Sequence, residues 1–354
     1  MDTSNIERTL GLDFVRAAEA AALNTFSWVG RGEKELADAA ASDAVRGTFD
    51  LMNIAGTVVI GEGIKDNAPG LFKGEKVGTW GKDAVPLDIA IDPIDGTTNL
   101  SKGLPNAIVC IAASLHEGDG PGHSDDNSGL LDVPAFYMDK LAYGPEIRDA
   151  FVRNPSLPWS INTSPKETIE MAAHILSKDV SDMVITAMDR PRNAHIIESV
   201  RSLGANLRLV SDGDITAALA PAMPGAGVDL YMGIGGSPEG VLSAVGMRCL
   251  GGGLQAKIWP RDEEEKASLI AEGWGDKLDT VFLSKDLARG EQLLFVATAI
   301  LESPFLPGMA VRGRTATTHS VLMRVRNRTV RFIQTLHNLD HKEIPLRSMN
   351  KMRQ

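Results

Sequence analysis

The chain is predicted to be a layered α/β protein. Apolar residues recur with helical spacing in some stretches and alternate in others. Glycine- and proline-rich turns stand between these stretches. In the second half, strands alternate with helices, which implies a largely parallel sheet whose carboxyl-end turns face one crevice.

Two helices open the chain. Leu10, Phe14, Ala17, Ala18, Ala21 and Phe26 fall near helical spacing, as do Leu36, Ala40, Ala44 and Leu51. Residues 56–60 then read as a buried strand delivering Glu62 at its end, between Gly61 and Gly63. The alternation Leu87-Asp88-Ile89-Ala90-Ile91 is a half-buried strand, and 106–115 is an apolar, central one. Residues 116–129 are polar and glycine-rich, an exposed connection. Their Asp125-Asp126-Asn127 cluster lacks the ligand pattern of an EF-hand loop. Ser164-Pro165-Lys166-Glu167 is a capping box with proline at the first helical position. Strands are predicted at 183–187, 207–210 and 228–232, and helices at 194–203, 215–222 and 240–250. Arg190-Pro191-Arg192, Asp212-Gly213-Asp214 and Gly235-Gly236-Ser237-Pro238-Glu239 all fall at strand-to-helix turns. Arg324, Arg326 and Arg328 alternate within 321–330, as in a strand with one solvated arginine face.

The most informative segment is Ile91-Asp92-Pro93-Ile94-Asp95-Gly96-Thr97-Thr98. Two carboxylates three positions apart emerge where a strand becomes a loop, with proline stiffening the turn. Such a pair grips a hard divalent cation with little rearrangement. Gly96-Thr97-Thr98 adds bare backbone N–H groups and hydroxyls suited to a phosphate oxyanion. Metal and phosphate side by side imply phosphoryl chemistry. A loop held by Asx-turn bonds is the purely structural alternative for Asp92 and Asp95. Asp38, a lone charge among alanines, fits either a ligand or a solvent-facing helix position. Glu239 fits either a ligand or a first-turn acid favoured by the helix dipole.

An acid set from separate strand ends, with no cysteine or histidine among it, suits Mg²⁺ or Mn²⁺ rather than Zn²⁺. The seven histidines form no HExxH pair. No Walker loop or Gly-x-Ser-x-Gly elbow occurs, and residues 233–238 carry proline where a dinucleotide fingerprint needs glycine. A net charge of −10 argues against a nucleic-acid surface. No apolar run of about 18 residues spans a bilayer. Cys110 and Cys249 read as buried thiols of a reducing compartment, and the polar N-terminus lacks a signal-peptide core. The expectation is a soluble, cytoplasmic protein without nucleic-acid or membrane partners.

The motif at 92–97, with the upstream Asp38 and Gly61-Glu62, resembles the signature of the lithium-sensitive, metal-dependent sugar phosphatases. Within that superfamily the chain is most similar to the class II fructose-1,6-bisphosphatases, some of which also act on sedoheptulose 1,7-bisphosphate. The resemblance runs from about Leu10 to His341. It is carried by Trp28-Val29-Gly30-Arg31-Gly32-Glu33-Lys34, Val59-Ile60-Gly61-Glu62-Gly63, Phe136-Tyr137-Met138 and the three strand-end turns named above. It implies an αβαβα sandwich of two subdomains, 1–160 and 161–354, with the site between them. It also implies two or more divalent cations, Mn²⁺ or Mg²⁺, and a homodimer or homotetramer. By that resemblance Asp38 and Glu62 hold one metal, and Asp92, Asp95 and Glu239 the other. Thr97 orients the attacking water, with Asp38 or Asp66 polarising its hydroxyl. Arg190, Pro191 and Arg192 clamp the phosphate that is not cleaved, where planar guanidinium forks suit better than lysine. Asp95, Gly96, Tyr137, Asp212, Gly213, Asp214 and Gly236 complete the substrate pocket. The implied activity is hydrolysis of the 1-phosphate of a sugar bisphosphate. A monophosphatase acting on inositol or nucleotide phosphates, or a sugar-phosphate binder without turnover, would use the same hardware. Three departures stand out. Asp95 replaces the family's usual glutamate, Asn193 stands where a histidine commonly follows the Arg-Pro-Arg turn, and the loop at 116–129 is longer than usual.

Overall fold

The computed structural model describes residues 6–61, 70–116 and 128–351, with side chains over 8–349 of that span. Glu62, Asp66 and the Asp125-Asp126-Asn127 cluster lie outside the described residues. Two compact units emerge, Met1–Asp132 with Ala288–Gln354, and Val133–Leu287. The boundary expected near residue 160 is therefore replaced by two crossings. An antiparallel pairing of distant strands brings the C-terminal segment back into the first sheet.

The chain begins with α1 (Ile6–Thr25), α2 (Lys34–Phe49), β1 (Ile54–Ile60), β2 (Lys76–Val77), β3 (Val85–Asp95), α3 (Thr97–Lys102) and β4 (Ala107–Leu115). The second unit follows: β5 (Tyr137–Tyr143), α4 (Pro145–Arg153), α5 (Pro165–Leu176), β6 (Val184–Met188), α6 (Ala194–Leu203), β7 (Asn206–Val210), α7 (Asp214–Leu219), β8 (Leu230–Gly236), α8 (Ser237–Leu250), β9 (Gly253–Ile258), α9 (Glu263–Ala271), β10 (Phe282–Leu283) and α10 (Ser284–Leu287). The first unit is then completed by β11 (Leu293–Leu301), β12 (Ala310–Arg312), β13 (Thr315–Arg324), β14 (Val330–Asn338) and α11 (Arg347–Lys351).

Among the described residues the first unit holds an eight-stranded sheet ordered β12-β13-β11-β4-β3-β1-β2, with β14 along the other side of β13. Only β1 and β3 run parallel. Alternate residues of β3 and β4 (Leu87, Ile89, Ile91; Val109, Ile111) share one apolar core with Phe14 of α1 and Phe49 of α2. Those two rings meet edge-to-face at 5.7 Å. The second unit holds a six-stranded sheet ordered β10-β9-β5-β8-β6-β7. Its α5 and α6 supply Ile169, Ala173, Ile196 and Val200 to a core with Ile185 of β6. The Ser164 capping box at α5 is formed as expected.

The α/β class is as expected, with helices layered on two mixed sheets and no closed barrel among the described residues. The largely parallel sheet of the second half is not. There only β7-β6-β8 run parallel, while β5, β9 and β10 pair antiparallel. The arginine-faced strand at 321–330 is instead a hairpin. Asn327 Oδ1 accepts from Arg324 Nε and Thr329 N, and Arg328 takes φ +51°. An asparagine side chain that closes its own turn outweighs the alternating pattern. No helix among the described residues is long and apolar enough to cross a membrane.

One buried carboxylate holds His116, Ser128 and Gly129 to the first sheet. Asp88 of β3 is fully buried. Its Oδ2 accepts from Gly129 N at 2.8 Å and Ser128 Oγ at 3.1 Å, and its Oδ1 lies 3.2 Å from His116 Nδ1. Asp88→Ala leaves these donors orphaned and should lower unfolding free energy by about 2–3 kcal/mol in urea titrations. A change below about 0.5 kcal/mol, the scale of ordinary surface substitutions, would contradict that role.

Candidate functional site

The acidic motif does not lie beyond a strand end, because β3 continues through Asp95. Opposite residues run Asp92↔Cys110 and then Asp95↔Ile108, so three steps on β3 match two on β4. This is a one-residue bulge. In a regular strand, positions three apart point to opposite faces. The extra residue reverses that parity. Asp92 and Asp95 share the face of Cys110 and Ile108, while Ile94 stays in the core with Ile89 and Ile91. Asp92 Oδ1 also accepts from Ile94 N at 3.0 Å, the Asx-type bond of a structural loop. That bond does not require the two carboxylates to share a face; the bulge provides it.

Gly96 then turns the chain with φ +98°. A Cβ there would sit 2.0 Å from the Asn106 carbonyl oxygen, so only glycine fits. Thr97 and Thr98 open the short α3. The Thr97 hydroxyl lies 3.0 Å from the Ile94 carbonyl and 3.4 Å from Asp38 Oδ1 of α2. One proton serves both acceptors, and the closer carbonyl takes the larger share. Asp38 is thus half-buried against α3 rather than solvent-facing on α2. Lys34 Nζ donates to Thr98 Oγ1 at 2.9 Å, and Gly30 N and Gly32 N donate to the Leu100 and Ser101 carbonyls. The Trp28–Lys34 segment therefore holds both ends of α3. Asn99 Nδ2 adds a bond to the Pro105 carbonyl at 2.7 Å. Sequence reading assigned no role to Lys34 or Asn99.

The donor chemistry fits a hard cation. Burial, then the Asp95 and Asp92 charges, push the Cys110 thiol well above its ordinary range. Asp92 and Asp95 present carboxylate oxygens on this face, the donor type that hard cations take. Among the described residues no three Asp, Glu, His or Cys side chains converge into a formed metal cage. Glu62, one of the expected ligands, is not among those residues.

In the second unit the parallel alignment of β6, β7 and β8 sets three loops at one end of the sheet. β5 runs antiparallel to β8, so Tyr137 pairs with Gly236 at that same end. Arg190 Nη2 lies 3.5 Å from Asp212 Oδ1. Arg192 stacks over the Tyr137 ring, 4.3 Å from its centroid, and its Nε donates to the Ile234 carbonyl at 2.9 Å. Pro191 opens the 3-10 turn that carries Arg192, with Arg190 at its N-cap, and Gly213 caps α7. A Cβ on Gly236 would lie 1.9 Å from Glu239 Oε2, so Glu239 of α8 folds back over its own helix start.

Asp214, expected with Asp212 and Gly213 to line the substrate pocket, stands at the first position of α7. It is buried, accepting from the Tyr231 hydroxyl and from Lys140 Nζ. Lys140, fully buried on β5, also donates to the Gly236 carbonyl at 2.8 Å. This network ties the turn after β7 to the end of β8. Asn193 is a brace of the same kind. Its Nδ2 donates to the Met188 carbonyl at 3.1 Å and its Oδ1 accepts from Ile234 N at 2.8 Å. Asn193 therefore holds the Arg190–Arg192 turn from below and faces inward. Lys140 and Tyr231 escaped sequence reading, although Lys140 has the parity of Met138 and Ala142, the buried face of β5.

Comparison with known proteins gives a consistent picture. A family model described as bacterial fructose-1,6-bisphosphatase, glpX-encoded, matches residues 8–337. The fructose-1,6-bisphosphatase class 2 of Haemophilus influenzae is 36% identical over 346 residues, which cover 95% of this chain and 98% of that protein. The fructose-1,6-bisphosphatase 1 class 2 of Escherichia coli (strain K12) is 36% identical over 349 residues, covering 96% of this chain and 98% of the relative.

Lys140→Met strands a buried carboxylate and should cost about 3–5 kcal/mol in chemical denaturation. Adding Asp214→Asn should recover part of the loss, giving an interaction energy of about 1–3 kcal/mol. Strict additivity of the two substitutions would show that the pair is not coupled.

Proposed function

The chain belongs to the bacterial, glpX-encoded fructose-1,6-bisphosphatase family, and from that premise we propose that it hydrolyses the 1-phosphate ester of fructose 1,6-bisphosphate to fructose 6-phosphate and inorganic phosphate. The observation that carries the site assignment is the β3 bulge, which turns Asp92 and Asp95 to one face immediately before Gly96 and Thr97.

In this reading Asp38 and Glu62 hold one divalent cation, and Asp92, Asp95 and Glu239 hold the other. Bound Mg²⁺ or Mn²⁺ supplies charge neutralisation and a more acidic water. The Thr97 Oγ1 orients the attacking water, with its hydroxyl polarised by the Asp38 carboxylate 3.4 Å away. Asp66 is the other acid that could serve Thr97. Arg190 and Arg192 grip the phosphate that stays on the sugar, with the Tyr137 ring fixing the plane of Arg192. Asp212, Gly213 and Gly236 line the sugar. The burial of Asp214 favours a role in holding that turn over direct contact with substrate. The enzyme is proposed to work in the cytoplasm as a homodimer or homotetramer, and sedoheptulose 1,7-bisphosphate is a proposed second substrate.

Phosphate release from a panel of sugar bisphosphates, sugar monophosphates, inositol phosphate and nucleotides, with Mg²⁺ or Mn²⁺, tests the reading. Fructose 1,6-bisphosphate should turn over fastest, and chelation should abolish release. Preference for a monophosphate would favour an inositol- or nucleotide-type phosphatase, and no release from any substrate would favour a binder. Thr97→Ala and Asp92→Ala should each lower kcat by about 10²-fold or more. Arg190→Ala or Arg192→Ala should raise KM for the bisphosphate by roughly ten- to a hundred-fold, the scale of a charged hydrogen bond. Full activity in the Thr97 or Asp92 variant would overturn the site assignment.

A further inference from the structure

The first unit's sheet ends unequally. At one end β2 is two residues long, a short edge of the kind that discourages association. At the other, β14 runs for nine residues and pairs with β13 without a bulge from Thr315↔Asn338 to Met323↔Val330. The centre of β14, Phe332-Ile333-Gln334-Thr335-Leu336, carries no charge and no proline. Phe332 and Leu336, two positions either side of Gln334, are 56% and 71% exposed, apolar side chains on a sheet edge of the kind that invites pairing.

The orientation of the edge follows from one bond. Leu339 N donates to the Arg314 carbonyl, which fixes the odd-numbered residues of β14 as those whose backbone groups face β13. The even-numbered residues, Phe332, Gln334 and Leu336, therefore point their N–H and C=O groups away from the sheet. Their side chains share the exposed face, while Ile333 packs on the core and His337 is buried.

We propose that this edge is a two-fold interface at which β14 of one copy pairs antiparallel with β14 of a second copy, centred on Gln334. An antiparallel pair centred there sets Gln334 against itself and Phe332 against Leu336 of the second copy, twice. Each of those positions carries outward backbone groups, so the register is one of hydrogen-bonded pairs. The apolar cross-strand pairs are self-complementary, as an isologous interface requires. In this register Arg328 falls opposite Asp340 of the second copy, which already pairs with Arg314 of its own chain, and Arg326 falls opposite Lys342, so the apolar pairs rather than charge specify the pairing. This inference stands independently of the hydrolase reading.

Gln334→Pro is a selective probe, because it removes an outward N–H without touching the β13 ladder. In sedimentation of the full chain, the wild type should be a dimer or a larger even assembly. Gln334→Pro should halve that mass while the far-UV circular dichroism is retained. A second measurement guards against a misfolded variant. Gln334→Cys should form a covalent dimer under mild oxidation, and Asn338→Cys should not, since Cys110 and Cys249 are buried and silent. A monomeric wild type, an assembly mass unmoved by Gln334→Pro, or absence of the cross-link in the Gln334→Cys variant would each overturn the proposal.

Discussion

A single extra residue in β3 opposite β4 is the constraint on which the placement of Asp92 and Asp95 depends. Without it, Asp92 and Asp95 would point to opposite faces of the sheet, one of them into the apolar core. With it, Ile94 keeps its place in that core and both carboxylates share the other face. The turn that follows is equally determined. The Asn106 carbonyl presses on Gly96, the left-handed backbone swings Thr97 into α3, and α2 brings Asp38 to its hydroxyl. Packing of β3 on the core thus sets the geometry of the charged groups.

The second unit solves a related problem by different means. Three parallel strands end together, so loops distant in sequence meet at one edge. Loops alone would leave the arginines poorly oriented. Asn193 from beneath and Tyr137 from the side hold the turn, and the buried Lys140–Asp214–Tyr231 network fixes the neighbouring one. Burying an ion pair is a costly way to join two loops, and further hydrogen bonds from the Tyr231 hydroxyl to Asp214 and from Lys140 to the Gly236 carbonyl offset that cost.

Much of this architecture is legible in the sequence. The periodicity of α1, α2, α5 and α6, the capping box at Ser164, and the strand-end turns are local features, set by residues within one or two turns of each other. What escaped depends on distance. The run at 293–301 is apolar enough for a central strand, yet nothing nearby shows that it inserts between β4 and β13 and moves the unit boundary. Lys140 and Asp214, or Asn193 and Ile234, are partners only in the fold. The hairpin at Arg324–Val330 was hidden differently, since alternating arginines mimic a strand and the deciding bonds come from one asparagine.

The central claim is that the β3 bulge makes Asp92 and Asp95 into joint ligands of a divalent cation. Anomalous diffraction from crystals grown with Mn²⁺ tests it most directly. The account predicts an anomalous peak against the carboxylate oxygens of both residues, lost in Asp95→Asn crystals grown alike. Manganese bound elsewhere, with both carboxylates turned to protein partners alone, would contradict it.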